Sequence, residues 1–144
     1  MSNLTGGCQC GAVRYEIAGA PLATYVCHCR ECRKQSASAF GISVIVRTGD
    51  VHLRQGTVKS WTRDTDSGRR LKCVFCPACG SRLWHEGEPP GPTVSVKGGS
   101  LDGGVDLGEA RRKRNWNAFN QVLRDRRVDV YDEMLGSGAK RSWY

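Results

Sequence analysis

The chain has 144 residues, 8 of them cysteine, and carries a formal charge of +8 with a pI near 9.3. That length suits one domain with a modest core, and no stretch approaches the roughly 18 consecutive apolar residues of a membrane span. Residues 1–7 hold neither a basic nor an apolar run of the signal-peptide kind. The chain therefore reads as cytoplasmic, where thiols stay reduced and closely spaced cysteines favour metal or catalysis over disulfides.

The first cysteine pair, Cys8-Gln9-Cys10, precedes an alternation in which Val13, Tyr15 and Ile17 take turns with Arg14, Glu16 and Ala18. Period two predicts a half-buried strand. Ala20-Pro21 ends it, and residues 22–26 form a short strand leading into Cys27-His28-Cys29-Arg30-Glu31-Cys32. Residues 31–36 are expected to make one helical turn. Strands follow over 40–47, 51–54, 57–63, 69–75, 82–85 and 93–97. Turn residues separate them: Thr48-Gly49-Asp50, Gln55-Gly56, the polar stretch 64–68 and Pro89-Pro90-Gly91-Pro92. Trp61 and Trp84 are expected in the core. Many short strands mean a mainly β domain, spanning residues 1–104. Beyond it, Trp116, Phe119 and Leu123, then Val130, Tyr131, Met134 and Leu135, fall at helical spacing. Residues 105–144 are therefore read as a basic, helical C-terminal extension packed on the β domain.

The cysteines fall into three clusters, completed by Cys76-Pro77-Ala78-Cys79, with Cys73 apart. Cysteines one or two residues apart strain a mutual disulfide but can aim two sulfurs at one ion, and sulfur-rich sites favour zinc. Seven clustered thiols make one closed four-ligand site and one three-ligand site. A closed site is structural, and a three-ligand site leaves a position for substrate. By this count the outer pairs, Cys8/Cys10 and Cys76/Cys79, share a structural zinc, and Cys27, Cys29 and Cys32 hold a second. His28 and Cys73 are each candidates for a fourth ligand to the trio. Two zinc ions on seven thiolates would bring the net charge down to about +5.

Residues 6–15, Gly-Gly-Cys-Gln-Cys-Gly-Ala-Val-Arg-Tyr, resemble the opening of the glutathione-dependent formaldehyde-activating enzyme family, which also contains centromere protein V. Cys27-His28-Cys29-Arg30-Glu31-Cys32-Arg33-Lys34 resembles its middle motif, and Phe75-Cys76-Pro77-Ala78-Cys79-Gly80-Ser81 its third. The match covers about residues 4–101. The resemblance implies small zinc-stabilised sheets of the Mss4-like, β-tent type, and the same ligand division: Cys8, Cys10, Cys76 and Cys79 structural; Cys27, Cys29 and Cys32 catalytic. It also implies carbon–sulfur bond formation or cleavage on an adduct of glutathione and formaldehyde.

The expected activity is therefore that of a zinc-dependent carbon–sulfur lyase or synthase whose substrate thiolate enters the open three-cysteine site. Glutathione carries two carboxylates, and a basic rim would orient it. Arg30, Arg33 and Lys34 follow the ligand turn and are the first candidates, with Lys97 a weaker one. Glu31, His28 and His85 are considered for proton transfer, without an identified partner. The alternative is a non-catalytic, zinc-stabilised binding module for protein or nucleic acid, drawing on Arg111-Arg112-Lys113-Arg114. Nucleic acid is the less favoured partner. A redox role for Cys73 and a homodimer are further openings.

Overall fold

The computed structural model describes residues 3–105. The helices expected after residue 105, and the basic run at 111–114, lie outside the described residues. Among these, nine strands and one short helix follow in chain order: β1 (Leu4–Gly7), β2 (Arg14–Ile17), β3 (Ala23–Cys27), α1 (Arg30–Ser36), β4 (Gly41–Arg47), β5 (Val51–Gln55), β6 (Lys59–Asp64), β7 (Arg70–Phe75), β8 (Arg82–Glu88) and β9 (Thr93–Lys97). Two 3-10 turns, Thr48–Asp50 and Gly98–Ser100, complete the set. The chain is mainly β, as expected. No described helix is long and apolar enough to cross a membrane.

The strands form two antiparallel sheets. The smaller has the order β1-β2-β5 and the larger β3-β4-β9-β8-β7-β6. One face of the large sheet is valine-rich: Val44 pairs with Val96, Val96 with Trp84, and Trp84 with Val74. These side chains meet Val13, Tyr15 and Ile17 from the small sheet and its leading turn, forming one buried cluster. Tyr15 and Trp84 touch edge to face, with centroids 5.8 Å apart, the arrangement that the ring quadrupole prefers. The buried Tyr15 hydroxyl is 2.7 Å from the Ser100 hydroxyl, which satisfies its polar atom. Burial pushes the Tyr15 phenol up to about 12. Gly6 makes this packing possible, since a Cβ there would lie 2.4 Å from the Tyr15 hydroxyl.

Three elements depart from the sequence expectation. β1 is not foreseen: Leu4-Thr5-Gly6-Gly7 has weak strand propensity and is held by pairing with β2. β8 runs three residues past His85, because pairing with β7 carries Glu86, Gly87 and Glu88 along. Trp61 is 54% exposed rather than in the core. It sits on β6, an edge strand of the large sheet, where only one neighbour strand supports it. Trp84 is in the core.

Candidate metal centres

Two turns bring the outer cysteine pairs together. Between β1 and β2 the Cys8 amide donates to the Val13 carbonyl at 3.1 Å, the Gly11 amide donates to the Cys8 carbonyl at 3.1 Å, and the Val13 amide lies 3.2 Å from the Cys8 sulfur. Between β7 and β8 the Gly80 amide donates to the Cys76 carbonyl at 2.9 Å and the Cys76 amide to the Ser81 carbonyl at 3.0 Å. Gly11 and Gly80 both have positive φ, +79° and +75°, a backbone state that glycine enters without strain. The Gln9 amide donates to the Ser81 hydroxyl at 3.0 Å and ties the two turns to each other.

As a result the sulfurs of Cys8, Cys10, Cys76 and Cys79 lie within 4.8 Å of one another. Cys8 and Cys10 are 3.5 Å apart and Cys10 and Cys76 are 3.9 Å apart. Four zinc–sulfur bonds of about 2.3 Å in a tetrahedron place sulfurs about 3.8 Å apart, so the spacing fits zinc. All eight cysteines are free thiols.

The second set is built on the β3–α1 junction. Cys27 ends β3. Cys29 is the N-cap of α1, with extended backbone, and its sulfur accepts from the Cys32 amide at 3.4 Å. The three sulfurs of Cys27, Cys29 and Cys32 also lie within 4.8 Å of one another. Hydrogen bonds from Cys27 and then Cys32 hold Cys29 down to about 2, while Cys27 is pushed well above the ordinary thiol range by the same contacts and by burial. Three sulfurs this close form a donor set suited to a thiophilic cation.

Neither candidate for a fourth sulfur or nitrogen joins the trio. The His28 ring tilts against Phe40, with centroids 5.5 Å apart. Cys73 is buried, with its sulfur 3.8 Å from the Leu71 carbonyl.

Strand register puts a polar face beside the trio. Cys27 pairs with Gly41, and two residues on Ser43 pairs with Lys97. Ser95 pairs with His85, His85 with Cys73, and Cys73 with Trp61. Directly paired residues, and residues two apart, share a face, so all of these lie on the side opposite the valines. Ser43, His85 and Lys97 are the buried polar residues among those described. The Lys97 ammonium donates to the Ser43 hydroxyl at 3.3 Å. Burial lowers the Lys97 ammonium, and the charges of Cys32 and Cys27 work in the opposite direction. Burial, followed by Lys97, Arg82 and Arg63, holds His85 neutral, with its pKa down to about 2.

Two cavities flank this face. The larger, about 760 Å³, runs from Gln35 and Gly41 past Lys97 to Ser81 and Arg82. The smaller, about 200 Å³, is lined by Cys32, Lys34, Trp61, Arg63, Arg82 and His85, among others. Of the basic residues expected at the rim, Lys34 lines the smaller cavity. Arg30 and Arg33 line neither, and Arg30 turns to Glu31 at 3.4 Å. Gly41, Ser43, Arg63 and Arg82 escaped the sequence reading. Their signal is the alternation Thr93-Val94-Ser95-Val96-Lys97, which marks a strand with one polar face that another layer can cover.

The family model described as glutathione-dependent formaldehyde-activating enzyme matches residues 3–119. A crystal structure of a Rhodobacter sphaeroides protein is similar over 72% of this chain and 93% of its own, with a TM-score of 0.57 and 23% identity, a likeness of fold.

Proposed function

This chain belongs to the glutathione-dependent formaldehyde-activating enzyme family, and from that premise we propose that it is a zinc-dependent carbon–sulfur lyase or synthase acting on a small thiol adduct. The observation that carries the reading is the separation of seven sulfurs into a set of four and a set of three. Four thiolates close a tetrahedral ion, and three leave one position for an incoming thiol. Cys8, Cys10, Cys76 and Cys79 are then structural, and Cys27, Cys29 and Cys32 belong to the reaction centre. The chemistry supplied by zinc in the three-cysteine set is stabilisation of a substrate thiolate, whether attacking or departing.

The chain's own residues prepare that centre. The Cys32 amide steadies the Cys29 sulfur. Gly41, opposite Cys27, leaves room for the Cys32 side chain. Lys97, buried on the same face, offsets the negative charge of the thiolates. Lys34, with Arg30 and Arg33 as further basic groups on α1, supplies positive charge for the carboxylates of a glutathione-like substrate. In the synthetic direction the thiolate sulfur donates an electron pair to the carbonyl carbon of formaldehyde. The carbon–oxygen π pair moves to oxygen, which takes a proton from water while the resulting hydroxide takes the proton that the thiol released, giving a hydroxymethyl thioether. The lyase direction reverses each movement.

The test is metal stoichiometry on anaerobically purified protein, with cobalt in place of zinc and glutathione added. Two metals per chain, one of which changes its spectrum with glutathione, support the reading. One metal, or two that ignore the thiol, refute it and favour the binding module.

A further inference from the structure

Gln35, Arg82 and His85, which all line the smaller cavity, each hold a polar atom whose hydrogen-bonding capacity is unused. The Gln35 atom is the acceptor Oε1. Arg82 Nη1 and His85 Nε2 are both buried with no hydrogen-bond partner among the described residues. His85 as a residue is only 6% exposed. A buried polar group left unpaired is destabilising, so two unpaired donors lining one cavity call for a ligand that accepts. The rest of the lining gives the ligand's charge. Arg63 lies on the same wall and donates to the Asp64 carbonyl at 3.2 Å. The Arg82 guanidinium stacks over Phe75, 5.6 Å from the ring centroid. Among the described residues neither arginine, nor Lys34, has a carboxylate partner. The single acid of the lining, Glu31, is turned to Arg30. The other lysine near this face, Lys97, is committed to Ser43.

We propose that this cavity is a carboxylate-binding subsite, in which Arg82 and His85 donate to the anion while Arg63 and Lys34 supply the field and Trp61 forms the wall. Because Cys32 lines the same cavity, a carboxylate held there belongs to the molecule whose thiol reaches the three-cysteine set. The centre thus selects thiols that carry a carboxylate over those that do not. That selectivity rests on the reading above; the anion subsite itself does not. The volume of about 200 Å³ suits one carboxylate-bearing arm rather than a whole tripeptide, the remainder of which extends into the larger cavity past Gln35 and Arg82, which line both.

The zinc-loaded full chain separates these claims. It is titrated with S-methylglutathione, which keeps the carboxylates and blocks the sulfur, and with cysteamine, a thiol with no carboxylate. The readout is the NMR resonances of the His85 ring. S-methylglutathione is expected to shift them saturably, and cysteamine to leave them in place. Arg82→Gln weakens S-methylglutathione binding about tenfold or more, the size of one lost charge-assisted hydrogen bond. Arg63→Gln, on the edge strand, weakens it severalfold without touching the core. A His85 ring that ignores S-methylglutathione, or unchanged affinity in both variants, overturns the subsite. If S-methylglutathione binds through Arg82 yet glutathione and formaldehyde give no adduct, the lyase reading fails and the subsite stands. If turnover is robust and Arg82→Gln leaves kcat/KM unchanged, the subsite fails and the lyase reading stands.

Discussion

Gly41→Ala tests whether the three-cysteine set is a metal centre in its own right. Gly41 opens β4, is buried and pairs with Cys27. A Cβ built there lies 3.1 Å from the Cys32 Cβ, 3.4 Å from Gln35 Nε2 and 3.6 Å from the Cys32 sulfur. Carbon–carbon contacts are relaxed at about 3.5–4.0 Å, so the Cys32 Cβ must retreat by a few tenths of an ångström. Gln35 has the freedom to swing aside, whereas the Cys32 Cβ is fixed to the backbone of α1. A zinc–sulfur bond of about 2.3 Å tolerates displacement of about 0.2 Å. Affinity at the trio is therefore expected to fall about ten- to hundredfold, the range seen when the support of a ligand is disturbed. Overpacking costs about 1–3 kcal/mol, while replacing glycine returns about 0.4–1 kcal/mol through the unfolded chain. The net cost is then at most about 2.6 kcal/mol, and at about 2–4 °C per kcal/mol for a chain near 150 residues the loss in Tm should stay within about 10 °C. The assay is cobalt titration against a chelator of known affinity, with the two sets read separately. Unchanged affinity at the trio, or simultaneous loss of both metals, would refute the reasoning.

Two further measurements test the proposed division of the ligand sets, and a third tests the burial of His85. Cys76→Ser opens the four-sulfur set that joins the β1–β2 and β7–β8 turns; it should lower Tm sharply and cost the structural metal, and a fully metallated variant of wild-type stability would contradict the assignment. Cys29→Ser should keep the fold and lose the second metal, with circular dichroism unchanged; global unfolding would reverse the roles of the two sets. His85, with its pKa depressed from 6.5 to about 2, binds fewer protons folded than unfolded between those values. Stability should therefore rise with pH across that window, by up to about 1.4 kcal/mol per pH unit from this one group, and be lost as the pH falls below 6.5. In carboxylate-free buffer the His85 ring should not titrate between pH 8 and pH 4.5 by NMR, and a midpoint near 6.5 would show that the imidazole is not desolvated.

The features legible in the sequence are local ones. The Cys8/Cys10, Cys27/Cys29/Cys32 and Cys76/Cys79 groupings are written within single turns, where a spacing of two or three residues fixes which sulfurs converge. The alternation of Val13, Tyr15 and Ile17 is likewise set by a two-residue period, and the strand over 40–47 by its run of β-branched residues. Counting thiols suggested a closed set and an open one, and the family motifs pointed to the same division. Strand pairing decided the rest. Cys10 approaches Cys76, 66 residues further along the chain, because two separate turns are tied at Ser81. Trp61 became a cavity wall instead of core because β6 ended up at the sheet edge. Ser43, Lys97 and His85 come from three strands, and nothing local in any of them names the others. Their common face follows from register, and a slip of one residue in β9 would have turned Lys97 into the valine core. The unpaired Arg82 and His85 atoms are visible only after burial has removed water from them, because an unsatisfied hydrogen bond is a property of surroundings, and those surroundings are assembled by the whole sheet.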